Sequence, residues 1–156
     1  MPFDYEEYKQ QERAYCKKNA YLFTELNAHP DDKNVRDCVK RAITSATGMN
    51  YNDVKIELNR HKKVTNTKKF NERKNWVSYV EKVLGLKRLK GFQNMKIGEF
   101  AKTNPTGTYI IKCRKHLTCV KDGKVLDTWN CSFNAINRVY IVIDGEGAHD
   151  HIKKGE

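Results

Sequence analysis

Two blocks of this sequence hold the residue types of nucleophilic thiol chemistry. The first is Asp37-Cys38-Val39-Lys40-Arg41-Ala42-Ile43-Thr44-Ser45-Ala46-Thr47-Gly48. Val39, Ala42, Ile43 and Ala46 repeat at i, i+3, i+4 and i+7, which predicts an amphipathic helix with one buried stripe. Asp37, or a residue just before it, suits the N-cap, and Gly48 supplies a left-handed stop. Cys38 then lies in the first turn. There it feels the positive end of the helix dipole and unpaired backbone N–H groups, which lower a thiol pKa and can hold a developing oxyanion. Of the five cysteines (16, 38, 113, 119 and 131), it alone opens a well-defined helix. For any one of them, a buried structural thiol is the competing reading.

The second block is a hairpin. His116-Leu117-Thr118-Cys119-Val120 and Lys124-Val125-Leu126-Asp127-Thr128-Trp129 flank Asp122-Gly123, a strong two-residue turn signal. That turn sets Lys121 against Lys124, Val120 against Val125, Thr118 against Asp127 and His116 against Trp129. Alternation then puts His116, Thr118, Val120, Val125, Asp127 and Trp129 on one face, with Asp127 diagonal to His116. A carboxylate there would fix the imidazole tautomer and stabilise imidazolium. Asn130 falls on the opposite parity and becomes the third member only through a slip or bulge. Cys113-x-x-His116-x-x-Cys119, with Cys131 beyond, is the competing use of the same atoms as a zinc set. In one extended strand, positions 113 and 119 point away from the face of 116, so tetrahedral closure is awkward and no metal is expected. No cofactor is expected either.

Several elements must position these groups. Residues 4–27 show helical spacing (Tyr8, Tyr15, Leu22, Leu26), with His29-Pro30 as the stop, so the first thirty residues read as an N-terminal helix. A short helix is expected at Asn52–Leu58, a loop or insertion at Arg60–Glu72, and helices at Asn75–Leu84 and Lys96–Lys102. Strands follow at Thr108–Cys113, along the two hairpin arms and at Arg138–Ile143. Helices first and an antiparallel sheet second give the class α+β.

The 156 residues suit one domain, drawn at 1–145 with a flexible tail at 146–156. No apolar run approaches the ~20 residues of a membrane span. The opening M-P-F-D-Y-E-E-Y-K lacks a signal-type apolar region, so a cytoplasmic location is expected, in the host cytoplasm if the chain is phage-encoded. An odd cysteine count argues against an extracellular disulfide framework. The net charge is +11, and residues 59–96 carry twelve Lys/Arg against two acids, a local +10. Arg60, Lys62, Lys63, Lys68, Lys69, Arg73, Lys74, Lys87, Arg88 and Lys90 are the candidates for meeting an anionic partner, a nucleic acid or an acidic protein. Phe70, Trp76, Tyr79 and Phe92 interleave with them and are candidates for base stacking, although Trp76 and Tyr79 stand at core spacing on a helix. A solvated, solubilising face is the alternative.

The block Asp37-Cys38-Val39-x-Arg41-Ala42-Ile43-x-x-Ala46-Thr47-Gly48-x-x-Tyr51-x-x-Val54 resembles the cysteine helix of small papain-like cysteine peptidase domains of bacterial and phage proteins. Gly107-Thr108-Tyr109-Ile110-Ile111, His116, Asp122-Gly123-Lys124-Val125 and Asp127-Thr128-Trp129 extend the resemblance, in the family order Cys, His, Asp or Asn. It implies a papain-like fold, with N-terminal helices carrying the cysteine packed on a C-terminal antiparallel sheet carrying the histidine. It further implies hydrolysis of a polypeptide or other amide, with Cys38 as nucleophile, His116 as base, Asp127 as orienting acid and Asn130 as its stand-in. Such enzymes usually carry a Gln before the nucleophile as an oxyanion donor. Asp31, Asp32, Lys33 and Asn34 stand there instead, and Asn34 is the neutral amide among them. No glycine follows His116 to admit a substrate backbone. The second reading is a non-catalytic binding module, such as a host-takeover factor, working through the basic segment.

Overall fold

The helix expected at Asp37 forms as α2 (Cys38–Thr47), with Val39, Ala42, Ile43 and Ala46 buried and Gly48 closing it at φ 74°. A computed structural model describes residues 2–142, which include the other elements. These are α1 (Tyr5–Lys18), β1 (Phe23–Glu25), α3 (Tyr51–Thr65), α4 (Arg73–Ser78), β2 (Lys87–Leu89) and α5 (Ile97–Thr103). Then follow β3 (Thr108–Cys113), β4 (His116–Lys121), β5 (Lys124–Asp127) and β6 (Ile136–Val142). The class is α+β. The tail expected at 146–156, the boundary at 145 and the final residue of the strand read to Ile143 lie outside the described residues.

The six strands form one sheet in the order β1-β5-β4-β3-β6-β2. It is mixed rather than purely antiparallel, because β1 runs parallel to β5 with Glu25 beside Asp127. Residues 4–27 are therefore not one helix. α1 stops at Lys18 and buries no side chain, and a 3₁₀ turn at Ala20–Leu22 leads into the strand. Phe23-Thr24-Glu25 pairs along the sheet edge, and a vacant strand edge overrides a weak helical pattern. The Leu26 N–H donates to the Asp127 carbonyl at 2.8 Å, which extends the pairing to the end of β5.

The Asp122-Gly123 hairpin forms in the expected register, with Val120 opposite Val125 and Lys121 opposite Lys124. Both turn residues have positive φ, 49° and 76°, as a two-residue turn of this type requires. Alternation along the strands builds two cores. Ile110, Leu117, Cys119, Tyr140 and Val142 face α2, α3 and α4, while Tyr109, Ile111, Cys113, Val120, Val125 and Val139 face α5.

α3 runs to Thr65, well past the short helix and into the loop read from sequence. Its buried positions, Tyr51, Val54, Leu58, His61 and Thr65, keep helical spacing while turning polar. His61 Nε2 meets Ser78 Oγ at 2.8 Å, and Thr65 Oγ1 donates to Asn75 Oδ1 at 2.9 Å. A helix whose buried stripe is hydrogen-bonded rather than apolar does not show in hydrophobic periodicity. The helix expected at Asn75–Leu84 is α4 followed by a π-helical turn at Tyr79–Val83, and its aromatic residues Trp76 and Tyr79 are buried.

Candidate active site

α2 packs against β4, and this contact brings the two chemical blocks together. Cys38 is the first helical residue, so its backbone N–H has no intrahelical acceptor. His116 is the first residue of β4, at the sheet end nearest that helix start. Cys38 and His116 line the same cavity, and the imidazole and the Leu117 backbone lie close enough to the sulfur to favour its ionisation. Nε2 of His116 lies 2.6 Å from Asp127 Oδ2, which leaves Nδ1 to serve the thiol. His116 and Asp127 are only 8% and 5% exposed, so water screens the pair little.

Asp127 is held from several directions. Thr118 Oγ1 donates to Oδ2 at 2.6 Å, and the Thr128 N–H donates to Oδ1 at 2.7 Å. Arg41 places its Nη2 3.8 Å from Oδ1. The ring of Trp129, half outside the protein, covers the imidazole with centroids 4.9 Å apart. Asp127 is the carboxylate that meets the imidazole, as same-face geometry predicts. Asn130 turns its Oδ1 to the Ser132 N–H at 3.1 Å instead.

Thiol ionisation separates Cys38 from its fellows. Burial raises the pKa of Cys16 and Cys113 and pushes Cys131 well above the usual range. Burial works against the Cys38 thiolate too, yet the hydrogen bonds from His116 and Leu117 and the nearby charges of His116 and Arg41 outweigh it, and its pKa falls. His116 is raised to about 9: burial lowers it, but Asp127 and the Cys38 sulfur more than compensate. Asp127 is lowered, since His116, Thr118 and Thr128 overcome the cost of burial. The two shifts run in opposite directions, so the arrangement favours the thiolate–imidazolium pair more than the free groups would.

Asp37 is the N-cap residue, but its side chain does not cap the helix. It binds the Arg41 guanidinium, and its Oδ2 accepts from Tyr51 at 2.6 Å. Arg41 also donates to the Val35 carbonyl at 3.2 Å. This buried network, not anticipated from the sequence, ties the residue before Cys38 to the carboxylate behind His116. The i, i+4 spacing of Asp37 and Arg41 is the sequence signal from which it could have been found. Arg41→Ala leaves the buried Asp37 carboxylate without its cation and takes a second cation away from Asp127. It is expected to destabilise the fold by about 3–5 kcal/mol in chemical denaturation.

The zinc set does not assemble as written. Cys119 belongs to the core on the opposite side of the sheet. Cys113 is not turned away from His116, because the chain reverses at Arg114-Lys115 and the two residues pair directly across a hairpin. A different trio gathers: His116, Asp127 and Cys131 bring ligand atoms within 4.8 Å of one another. The nitrogen and oxygen 2.6 Å apart are too close to share a zinc ion, whose bonds of about 2.0–2.2 Å keep tetrahedral donors roughly 3.3 Å apart. The Cys131 thiol, held protonated, donates to Asp127 at 3.8 Å.

A cleft of about 530 Å³ opens at Cys38, lined by Asn34, Arg36, Asp37, Lys115, His116 and Trp129 among others. Asn34 therefore reaches the cleft wall. The basic segment does not form one patch. Arg60, Lys62 and Lys63 lie on α3, Lys68 and Lys69 in the loop after it, and Arg73 and Lys74 open α4. Lys87 and Arg88 lie in the edge strand β2, with Lys90 just beyond, separated from β4 by β6 and β3. Arg73 alone of these ten lines a cavity at Cys38. The four aromatics are buried or half-buried. Phe92 stacks on Phe100 with centroids 5.0 Å apart, and Phe70 lies under the Lys40 ammonium at 4.4 Å.

All five cysteines are free thiols. No helix among the described residues is long and apolar enough to cross a membrane. No family model matches the chain, and no curated protein or solved structure matches it either.

Proposed function

We propose that this chain is a papain-like thiol hydrolase, a peptidase or isopeptidase using Cys38, His116 and Asp127. The observation that carries the reading is a helix-start sulfur sharing a cleft wall with a buried imidazole that a buried carboxylate holds at 2.6 Å. In the reaction, the Cys38 thiolate attacks an amide carbonyl while the Cys38 N–H stabilises the oxyanion. His116 then gives the proton on Nδ1 to the leaving amine. The thioester is hydrolysed by a water that His116 deprotonates in turn. Asp127 stays ionised and holds the ring through Nε2.

Alkylation with iodoacetamide near pH 6.5, mapped by mass spectrometry, tests this. Cys38 should be modified well ahead of the other four thiols. Cys38→Ala should remove that fast phase and all amide hydrolysis while the thermal midpoint stays within a few degrees. Cys38 reacting no faster than a small free thiol would overturn the reading.

The binding-module reading draws less support. Its cations are divided between the α3–α4 side and the far sheet edge, and no aromatic among them stands free to stack a base.

A further inference from the structure

Adjoining the large cleft at Cys38 lies a smaller compartment of about 190 Å³. Arg73, Trp76 and Lys112 line it alone, while Cys38, Asn71, Lys115 and His116 line it and the large cleft together. Three cations and no carboxylate line it. Among the described residues, neither Arg73, Lys112 nor Lys115 forms an ion pair. Lys112 is half-buried, gives a hydrogen bond to the Cys113 carbonyl, and lies near enough to Cys38 and Arg73 for their charges to act on it. The large cleft adds Arg36, and its one carboxylate, Asp37, is already engaged by Arg41 and Tyr51.

Catalysis does not need this concentration of positive charge. Stabilising the thiolate already falls to His116 and Arg41. Cations held without counter-ions around a half-closed site repel one another, and an anion entering the site relieves that repulsion. The compartment has room for one side chain and not for a run of nucleotides. Its aromatic wall, Trp76, is buried and offers no open face to a base.

We propose that the Arg73–Lys112–Lys115 compartment is a subsite for a carboxylate of the substrate, so that the amide cleaved at Cys38 belongs to an acidic peptide with a carboxylate next to the scissile bond. This rests on the hydrolase reading and adds its substrate class.

Two alkylating reagents of nearly equal size separate the ideas. Iodoacetate carries a carboxylate where iodoacetamide carries a neutral amide. On the intact chain, the iodoacetate-to-iodoacetamide rate ratio at Cys38 should exceed that of a small neutral thiol by on the order of tenfold. The excess should fade as salt is raised from about 0.01 to 1 M. Arg73→Gln with Lys115→Asn should remove most of it. Both side chains are exposed, and asparagine tolerates the φ of 56° at position 115. Lys17→Gln, on the exposed side of α1, should leave the ratio unchanged. A hexaglutamate peptide should slow iodoacetamide labelling of the wild type, and hexaglutamine should not.

Fast reaction with both reagents but no excess for iodoacetate would overturn the subsite and leave the hydrolase reading standing. So would an excess that salt or the double variant does not reduce, or protection by an oligothymidylate but not by hexaglutamate. Slow reaction with both reagents would overturn the hydrolase reading and the subsite with it.

Discussion

Replacing His116 with alanine will deprive the thiol of its base and its counter-charge together. Amide hydrolysis is expected to fall about 10²–10⁴-fold, the usual worth of a positioned proton-transfer group. The sign of the pH effect follows from the two shifts. In the wild type the Cys38 pKa is lowered, so the proposed activity is expected to rise with pH earlier than for an unshifted thiol. His116 is raised to about 9, so the imidazolium is lost as pH climbs through that region, and with it the proposed proton donor to the leaving amine. The expected profile is a bell whose two limbs belong to the coupled pair rather than to either residue. In His116→Ala the alkylation profile of Cys38 should become a single rise, moved to higher pH, because burial then opposes the thiolate without its main compensation. Alkylation rates measured from about pH 5 to 10 decide this. A variant that keeps the wild-type acid limb would show that the imidazole does not stabilise the sulfur.

Asp127→Asn should narrow that bell from both sides. The carboxylate is among the largest influences raising His116, through a 2.6 Å hydrogen bond and its charge. Without the charge the imidazole pKa drops, and the alkaline limb moves to lower pH. A less populated imidazolium stabilises the thiolate less, so the acid limb moves up. Each unit of either shift changes the ionised fraction up to tenfold, and peak hydrolysis is expected to fall by at least about tenfold. Asparagine keeps an oxygen for the Thr118 hydroxyl, so the β4–β5 hairpin should survive, which circular dichroism can confirm. Asn130→Ala should leave both limbs in place, because the Asn130 side chain serves the Ser132 N–H rather than the imidazole. A limb shift in Asn130→Ala equal to that in Asp127→Asn would reassign the third member.

The sequence by itself determined the local pieces that carry the chemistry. Apolar spacing around Val39, Ala42, Ile43 and Ala46 is enough for a helix beginning at Cys38, because i, i+3, i+4 periodicity is a property of adjacent turns. Asp122-Gly123 is enough for the hairpin, its register and the shared face of His116 and Asp127, because turn type sets strand pairing. Other features depended on distant partners and could only be decided by packing. Phe23–Glu25 became a strand because the β5 edge stood open to it, although helical spacing ran through the same residues. α3 continued to Thr65 because Ser78 and Asn75 satisfy a buried stripe that hydrophobicity does not register. Cys113 came to face His116 because two residues between them reverse the chain, where an unbroken strand would have set them on opposite sides. Arg73 reached Cys38 while Lys87, Arg88 and Lys90 went to the far sheet edge, since charge near in sequence is placed by the elements that carry it. The meeting of sulfur and imidazole is of this second kind. Local patterns oriented each group on its own element, but only the packing of α2 on β4 closed the gap between them, and contact between residues far apart in sequence is the product of the whole core.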